Sequence, residues 1–301
     1  MTKTTFIEKS CEVSTGPERA WSLLSSAAVW SLRRGLFAFD AVAPDSAPIR
    51  CLLQATPTGA GQGVLKLCAE QSGVAATWAV AADQEVTFSA RPHRRSSVIA
   101  IAMKTGTDSG TAHYLKPRWD RMLGVWLARA RDVLEGEQQW PAGMPAEVRQ
   151  ACAARPVLEA TESVSASVLI AAPLAVVWEA VSAPSPPGDR DVVCGHVPGT
   201  PVQEVGEMQY TIFSTPDGQL ALASCFLHEV VPQRSAVTRA IAPPHQEMHH
   251  LLSAEMDATR LELTARWAAA AWPGEPQDAR SSMAEWVRSA SSHYKSAIEE
   301  S

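Results

Sequence analysis

The residues best suited to chemistry gather in the second half of the chain. His250 closes the run His245-Gln246-Glu247-Met248-His249-His250. If Met248, Leu252 and Met256 face a pocket, the two-residue period of a strand turns His250 inward with them and sends Glu247 and His249 outward. An inward histidine suits proton transfer near neutral pH, or it is a hydrogen-bonded part of a pocket wall without a chemical role. His228 shares a face with Leu222, Phe226 and Val230, and Arg239 shares one with Val237 and Ile241. Either offers an anchor for a ligand carbonyl or carboxylate, the guanidinium as a fixed fork of donors; for Arg239 the favoured reading is a partly solvated ion pair. Tyr210 and Tyr294 are two of three tyrosines, and a phenol donates to a ligand carbonyl or packs with its hydroxyl at a rim. The candidate catalytic set is His250, His228 and Tyr210. The candidate ligand-binding set is Arg239, Trp267, Trp286 and Tyr294, with Trp78, Trp119 and Trp126 from the first half. The indoles either stack on a flat polycyclic molecule or fill core volume.

Other chemistries fit less well. The histidine run invites a metal, but the helical zinc motif places Glu directly after the first His. Here Gln246 stands there, in an expected strand, so no metal site is expected. Neither a nucleophile elbow, a P-loop nor a dinucleotide fingerprint occurs. The basic run Arg91, His93, Arg94, Arg95 reads as a solvated turn, with contact to a phosphopantetheine-carrying acyl carrier protein as the functional alternative.

These side chains need elements to hold them, and the stretch Thr161 to Ala183 shows which. Val164, Ala166, Val168 and Ile170 alternate with polar residues as in a half-buried strand. Pro173 is tolerated in a first helical turn, and Val176, Val177, Ala180 and Val181 follow at helical spacing. A shortened copy lies near the N-terminus: Phe6 to Val13, then Pro17, then Ala20-Trp21-Ser22-Leu23-Leu24. Two copies of one domain are expected, about half a chain apart.

Each copy continues as short β-like runs and one long helix. In the first, Leu65, Leu67, Trp78, Val80, Val86, Phe88, Ile99, Ile101 and Met103 form one apolar face of an antiparallel meander. The helix from Lys116 to Glu135 carries the stripe Trp119, Met122, Leu123, Trp126, Ala130, Val133, Leu134. The second copy ends on a helix from Asp278 to Glu300 with Met283, Trp286, Val287, Ala290, Tyr294, Ala297 and Ile298 in line. Each stripe must bury itself on the concave face of its own sheet. A twisted sheet of six or seven strands is wider than one helix, so an apolar pocket with a few polar groups is expected between them.

The bulk numbers agree. The chain has 301 residues, 46% of them hydrophobic and 19% charged, which suits two globular domains. A net charge of −6 gives no reason to expect nucleic acid. The excess is lopsided, with 17 basic and 14 acidic residues before position 151 and 9 and 18 after it. Six scattered cysteines without CxxC, and no apolar leader or run of membrane length, lead us to expect reduced thiols in a cytoplasmic protein.

This order, together with APLAVVWEAV (172 to 181), HVPGTPVQEVGE (196 to 207), HEVVPQRSAVTRA (228 to 240) and RLELTARW (260 to 267), resembles the helix-grip superfamily. That superfamily is also called START-like, SRPBCC, Bet v 1-like and polyketide cyclase/dehydrase. The resemblance covers the second half and, more faintly, the first. It implies an α+β protein of two helix-grip domains, each an antiparallel sheet wrapped around a long C-terminal helix. Domain 1 is expected over residues 1–138, a linker over 139–159 and domain 2 over 160–301. Two-copy members resemble the didomain aromatase/cyclases of bacterial aromatic polyketide pathways, and related START-like proteins occur in enediyne clusters, where members bind the product or confer resistance. The partner implied is a hydrophobic, polyketide-like small molecule; no metal or organic cofactor is implied. In a cyclase, polar side chains guide aldol condensation and dehydration. The first meander offers none except the Trp78 indole, and a reaction there would have to recruit Arg33, Arg34 or His93. The alternative to an enzyme is a non-catalytic binding, carrier or self-resistance protein.

Overall fold

A computed structural model describes residues 3–107, 109–154, 161–184, 192–242, 245–268 and 276–300. The first half runs β1 (Lys3–Val13), α1 (Pro17–Ser25), α2 (Ala28–Ser31), β2 (Leu36–Val42), β3 (Pro48–Thr56), β4 (Gly59–Gln71), β5 (Ala75–Ala81), β6 (Gln84–His93), β7 (Ser96–Thr107) and α3 (Ser109–Leu134). After α4 (Ala146–Ala153) the second half repeats this order without a described counterpart of α2: β8 (Thr161–Ile170), α5 (Leu174–Ser182), β9 (Val192–His196), β10 (Met208–Ser214), β11 (Leu220–Val231), β12 (Ser235–Ala240), β13 (Gln246–Glu255), β14 (Ala258–Ala268) and α6 (Pro276–Glu299). The sheet orders are β1-β7-β6-β5-β4-β3-β2 and β8-β14-β13-β12-β11-β10-β9. They are one topology used twice, and each half is a helix-grip domain.

The local causes are those of the sequence. Pro17 opens α1 at a position where a missing N–H costs nothing, and Pro173 caps α5. α6 lies along β8 and β14, and α3 along β1 and β7. Met283, Val287 and Tyr294 are buried beneath one, and Leu123, Trp126, Ala130 and Val133 beneath the other.

By its contacts the chain divides into two units, residues 1–54 with 63–145 and residues 55–62 with 146–301. Of the expected linker, residues 139–145 sort with the first unit and α4 with the second, while 155–159 lie outside the described residues. Ala270, the expected end of the last strand, also lies outside them.

Two departures follow from bulges. In β5 the pairing slips between Ala79 and Ala81, so Val80 leaves the inner face and is exposed. In β11 it slips between Leu227 and Glu229, reversing the faces beyond that point. Met256 does not extend the inner row of β13: it stands in the turn after Glu255, with a positive φ and its side chain in solvent.

Candidate functional site

A cavity of about 500 Å³ lies between the second sheet and α6. Cross-strand partners project to the same side, and the register therefore decides which residues line it. Gln209 pairs with Cys225, Cys225 with Ala240, Thr238 with Met248, and Ala236 with His250, and these form the cavity side. From the helix, Met283, Trp286, Ala290, His293 and Tyr294 recur at three- and four-residue steps and close the other wall. A second cavity of about 100 Å³ shares His250, Tyr294, Gln209, Thr238 and Pro184 and adds Trp178, Glu207 and Leu227.

The walls are mainly apolar, with polar groups at a few points. His250 Nδ1 on the sheet and His293 Nε2 on the helix are buried and have no hydrogen-bond partner among the described residues. Burial pushes the His250 imidazole down to about 4, against an opposing hydrogen bond to the Ala236 backbone, so it is neutral at physiological pH. Burial pushes the Tyr294 phenol up to about 12, with the Cys225 and Cys194 thiols adding to the effect, so it remains a neutral donor. The Cys225 thiol is likewise held at about 12 by burial.

Gln209 is oriented from behind. Its amide donates to Glu207 Oε1 at 2.7 Å and to the Ser182 carbonyl at 3.3 Å, while its Oε1 faces the Cys225 thiol at 4.0 Å. Glu207 is buried, accepts the Gln203 N–H and lies 2.7 Å from His196 Nδ1. This supports the adjoining wall and holds Gln209 against the site.

The candidate residues separate under this geometry. His250, Tyr294 and Trp286 meet at the cavity; Trp286 is 46% exposed and stands at its edge. Trp267, 1% exposed, fills the core with Leu263 and Met283 and is absent from the lining. Tyr210 points to the opposite side of the sheet. Its neighbours Gln209 and Thr211 line the cavity, whereas its own ring lies across Gly195, where an added Cβ would meet Tyr210 Oη at 2.7 Å. His228 is also on the opposite side, its ring centroid 4.9 Å from that of Phe226. The bulge beside it carries Val230 to the inner face and leaves His228 with Leu222 and Phe226, whose partners Ile212 and Met208 face outward too. Arg239 pairs there with buried Glu247, which also contacts His249 at 3.2 Å. The expectation of a partly solvated Arg239 fails, since it is 2% exposed.

In the first domain, aromatic rings pack in the core between sheet and helix. Trp30, Phe88 and Trp126 pack edge to face with centroids 5.1 to 5.2 Å apart, and the Trp126 indole donates to the Val29 carbonyl. Trp78 lies under the Arg50 guanidinium, 4.2 Å from its ring centre, and Trp119 belongs to the same core. Trp78, Trp119 and Trp126 are therefore core residues. Rings fill the centre of this core, whereas Thr238, Met248, His250, Ala290 and His293 line open space in the second domain.

Sequence reasoning missed Gln209, Glu207 and His293. His293 had a signal, lying three residues beyond Ala290 and seven beyond Trp286 on the stripe; Gln209 follows from alternation once the sheet register is known. The basic residues Arg91 to Arg95 are exposed at the β6–β7 turn. Among the described residues, no group of three or more His, Cys, Asp or Glu is placed to hold a metal ion. No helix among them is long and apolar enough to cross a membrane.

No protein-family model matches the chain, and no curated protein matches it in sequence. Solved structures similar to it include the di-domain ARO/CYC BexL from the BE-7585A biosynthetic pathway, at 14% identity and TM-score 0.37, with 98% of this chain and 99% of that one covered. The di-domain ARO/CYC StfQ from the steffimycin pathway aligns at 12% identity and TM-score 0.35 over 98% of each chain. Ara h 8.0201 aligns with 47% of this chain and 100% of its own, at 8% identity and TM-score 0.39. The tandem architecture stands on the strand order and helix placement of the chain itself.

Proposed function

We propose that the second helix-grip domain binds a hydrophobic, polyketide-type small molecule between its sheet and α6. The observation carrying this reading is the pair of imidazole nitrogens, His250 Nδ1 and His293 Nε2, buried without partners on opposing walls of one largely apolar cavity. Buried polar atoms are normally satisfied, so these are positions for a ligand oxygen or for water held in its place. Tyr294 adds a neutral donor, and Trp286 offers a ring face at the edge. A volume of about 500 Å³ is in the range of small-molecule sites. Together these features suit an elongated or fused-ring molecule with carbonyl or hydroxyl groups at intervals. The setting is the one implied by the sequence resemblance, bacterial biosynthesis of an aromatic polyketide or enediyne.

Binding without turnover, as a carrier or self-resistance protein, is the form the site supports best. A general base works best with a pKa near the operating pH. His250, held at about 4, serves at neutral pH as a hydrogen-bond partner instead. Turnover as an aromatase/cyclase is the second reading, favoured by two imidazoles and a phenol around one volume. Neither reading needs the acyl carrier protein that the basic turn at Arg91 to Arg95 would invite.

Titration of the full-length protein with anthraquinones and linear polyketide mimics, followed by tryptophan emission and mass spectrometry, tests both. Saturable quenching with unchanged ligand mass is expected. A dehydrated or cyclised product would establish turnover, and failure of every such ligand to bind would overturn the proposal.

A further inference from the structure

The first domain carries a second concave feature, remote in chemistry from the cavity above. Between α3 and the turn after α2, Arg118, Arg121 and Arg129 line a groove of about 280 Å³ with Arg33 and Arg34. Among the described residues, no carboxylate lines it. The described acidic side chains of α3 and its end are engaged elsewhere: Asp120 with Lys9 at 2.9 Å, Asp132 with Arg131, and Glu135 with Arg131 and the Ser14 N–H. The Arg129 guanidinium donates to the Leu32 carbonyl at 2.6 Å, which ties the arginine-bearing turn to the helix. Between the charges the floor is apolar, with Leu32, Met122, Val125 and an edge of the core residue Trp126; Val125 is 52% exposed.

We infer that this groove binds a small phosphate-class anion carrying a short apolar group. The guanidiniums of Arg33, Arg118, Arg121 and Arg129 around one concavity repel one another, and a multiply charged anion relieves that repulsion. Guanidinium forks match phosphate oxygens in pairs, and the Met122–Val125 floor takes an alkyl segment rather than a second charge. The volume lies at the lower edge of small-molecule sites, about 300 Å³. The basic turn at Arg91 to Arg95 has charge without such a groove, which makes it the natural control.

The test is calorimetric titration of the full-length protein with inorganic phosphate, pyrophosphate and hexyl phosphate at about 50 mM salt, where screening is weak. Pyrophosphate and hexyl phosphate should both bind more tightly than inorganic phosphate, with Kd below about 1 mM. Arg118→Ala/Arg121→Ala alters two exposed side chains and should weaken both by about tenfold or more, with an unchanged circular dichroism spectrum. Val125→Asp should remove the advantage of the hexyl chain, and Arg91→Ala/Arg95→Ala should change nothing. No binding, or equal weakening by the turn and groove variants, would show a diffuse counter-ion effect and overturn the assignment.

Discussion

Acidification probes the placement of His250 most directly. Burial holds its imidazole at about 4, against an ordinary value of 6.5. Between those values the unfolded chain binds a proton there that the folded chain does not, so stability is fully present above pH 6.5 and falls as the pH drops toward 4. At about 1.4 kcal/mol per pH unit, the gap is worth about 3 kcal/mol when fully developed and about 2.4 kcal/mol between pH 7 and roughly pH 4.5. Carboxylates titrate in the same range, which is why the comparison must be with His250→Gln, a polar side chain that does not titrate. Urea unfolding followed by tryptophan emission at the two pH values should show the protein losing about 2 kcal/mol more than the variant. The His250 ring resonance, followed by NMR, should titrate near the lower value. Equal losses in both proteins, or a ring titrating near its ordinary pKa, would refute the burial argument and remove His250 from the inner wall.

Four substitutions extend the test. Trp286→Ala removes a half-exposed ring at the cavity edge; it should weaken binding of an anthraquinone about tenfold in a fluorescence titration while changing stability by less than about 0.5 kcal/mol. Gly195→Ala places a Cβ 2.8 Å from Tyr210 Cζ and should cost about 1–3 kcal/mol by chemical denaturation, a loss largely relieved in Gly195→Ala/Tyr210→Ala. Arg239→Ala leaves the buried Glu247 carboxylate short of its main counter-charge and should cost about 3–5 kcal/mol, with much of it recovered in Arg239→Met/Glu247→Leu. Phe88→Ala empties the centre of the first domain's aromatic cluster; a loss of about 3–5 kcal/mol with ligand affinity unchanged in the folded protein is expected, and reduced affinity would place a ligand in that domain after all.

The elements of this protein are written locally. Pro17 and Pro173 mark the same strand-to-helix corner twice, and the stripes of α3 and α6 follow from helical spacing. The inner faces of most strands follow from period two, because each apolar side chain has only one face on which to be buried. His250 and Tyr294 were legible on those grounds, for they sit in regular runs. Tyr210, His228 and Arg239 were not. Their strands alternate well enough, but which face is inner depends on a partner strand, and a single extra residue near His228 moves Val230 from one face to the other. The same limit hid Gln209, inward only because it pairs with Cys225. Which domain is open was decided by tertiary packing alone: Trp30, Phe88 and Trp126 are far apart along the chain and meet only once α3 closes over the sheet. Sequence thus determined the helices, the strands and their repetition, since these follow from spacing between near neighbours. The cavity, the two imidazole nitrogens left without partners among the described residues, and the filled first core were decided by register and by the volumes of side chains that meet only in three dimensions.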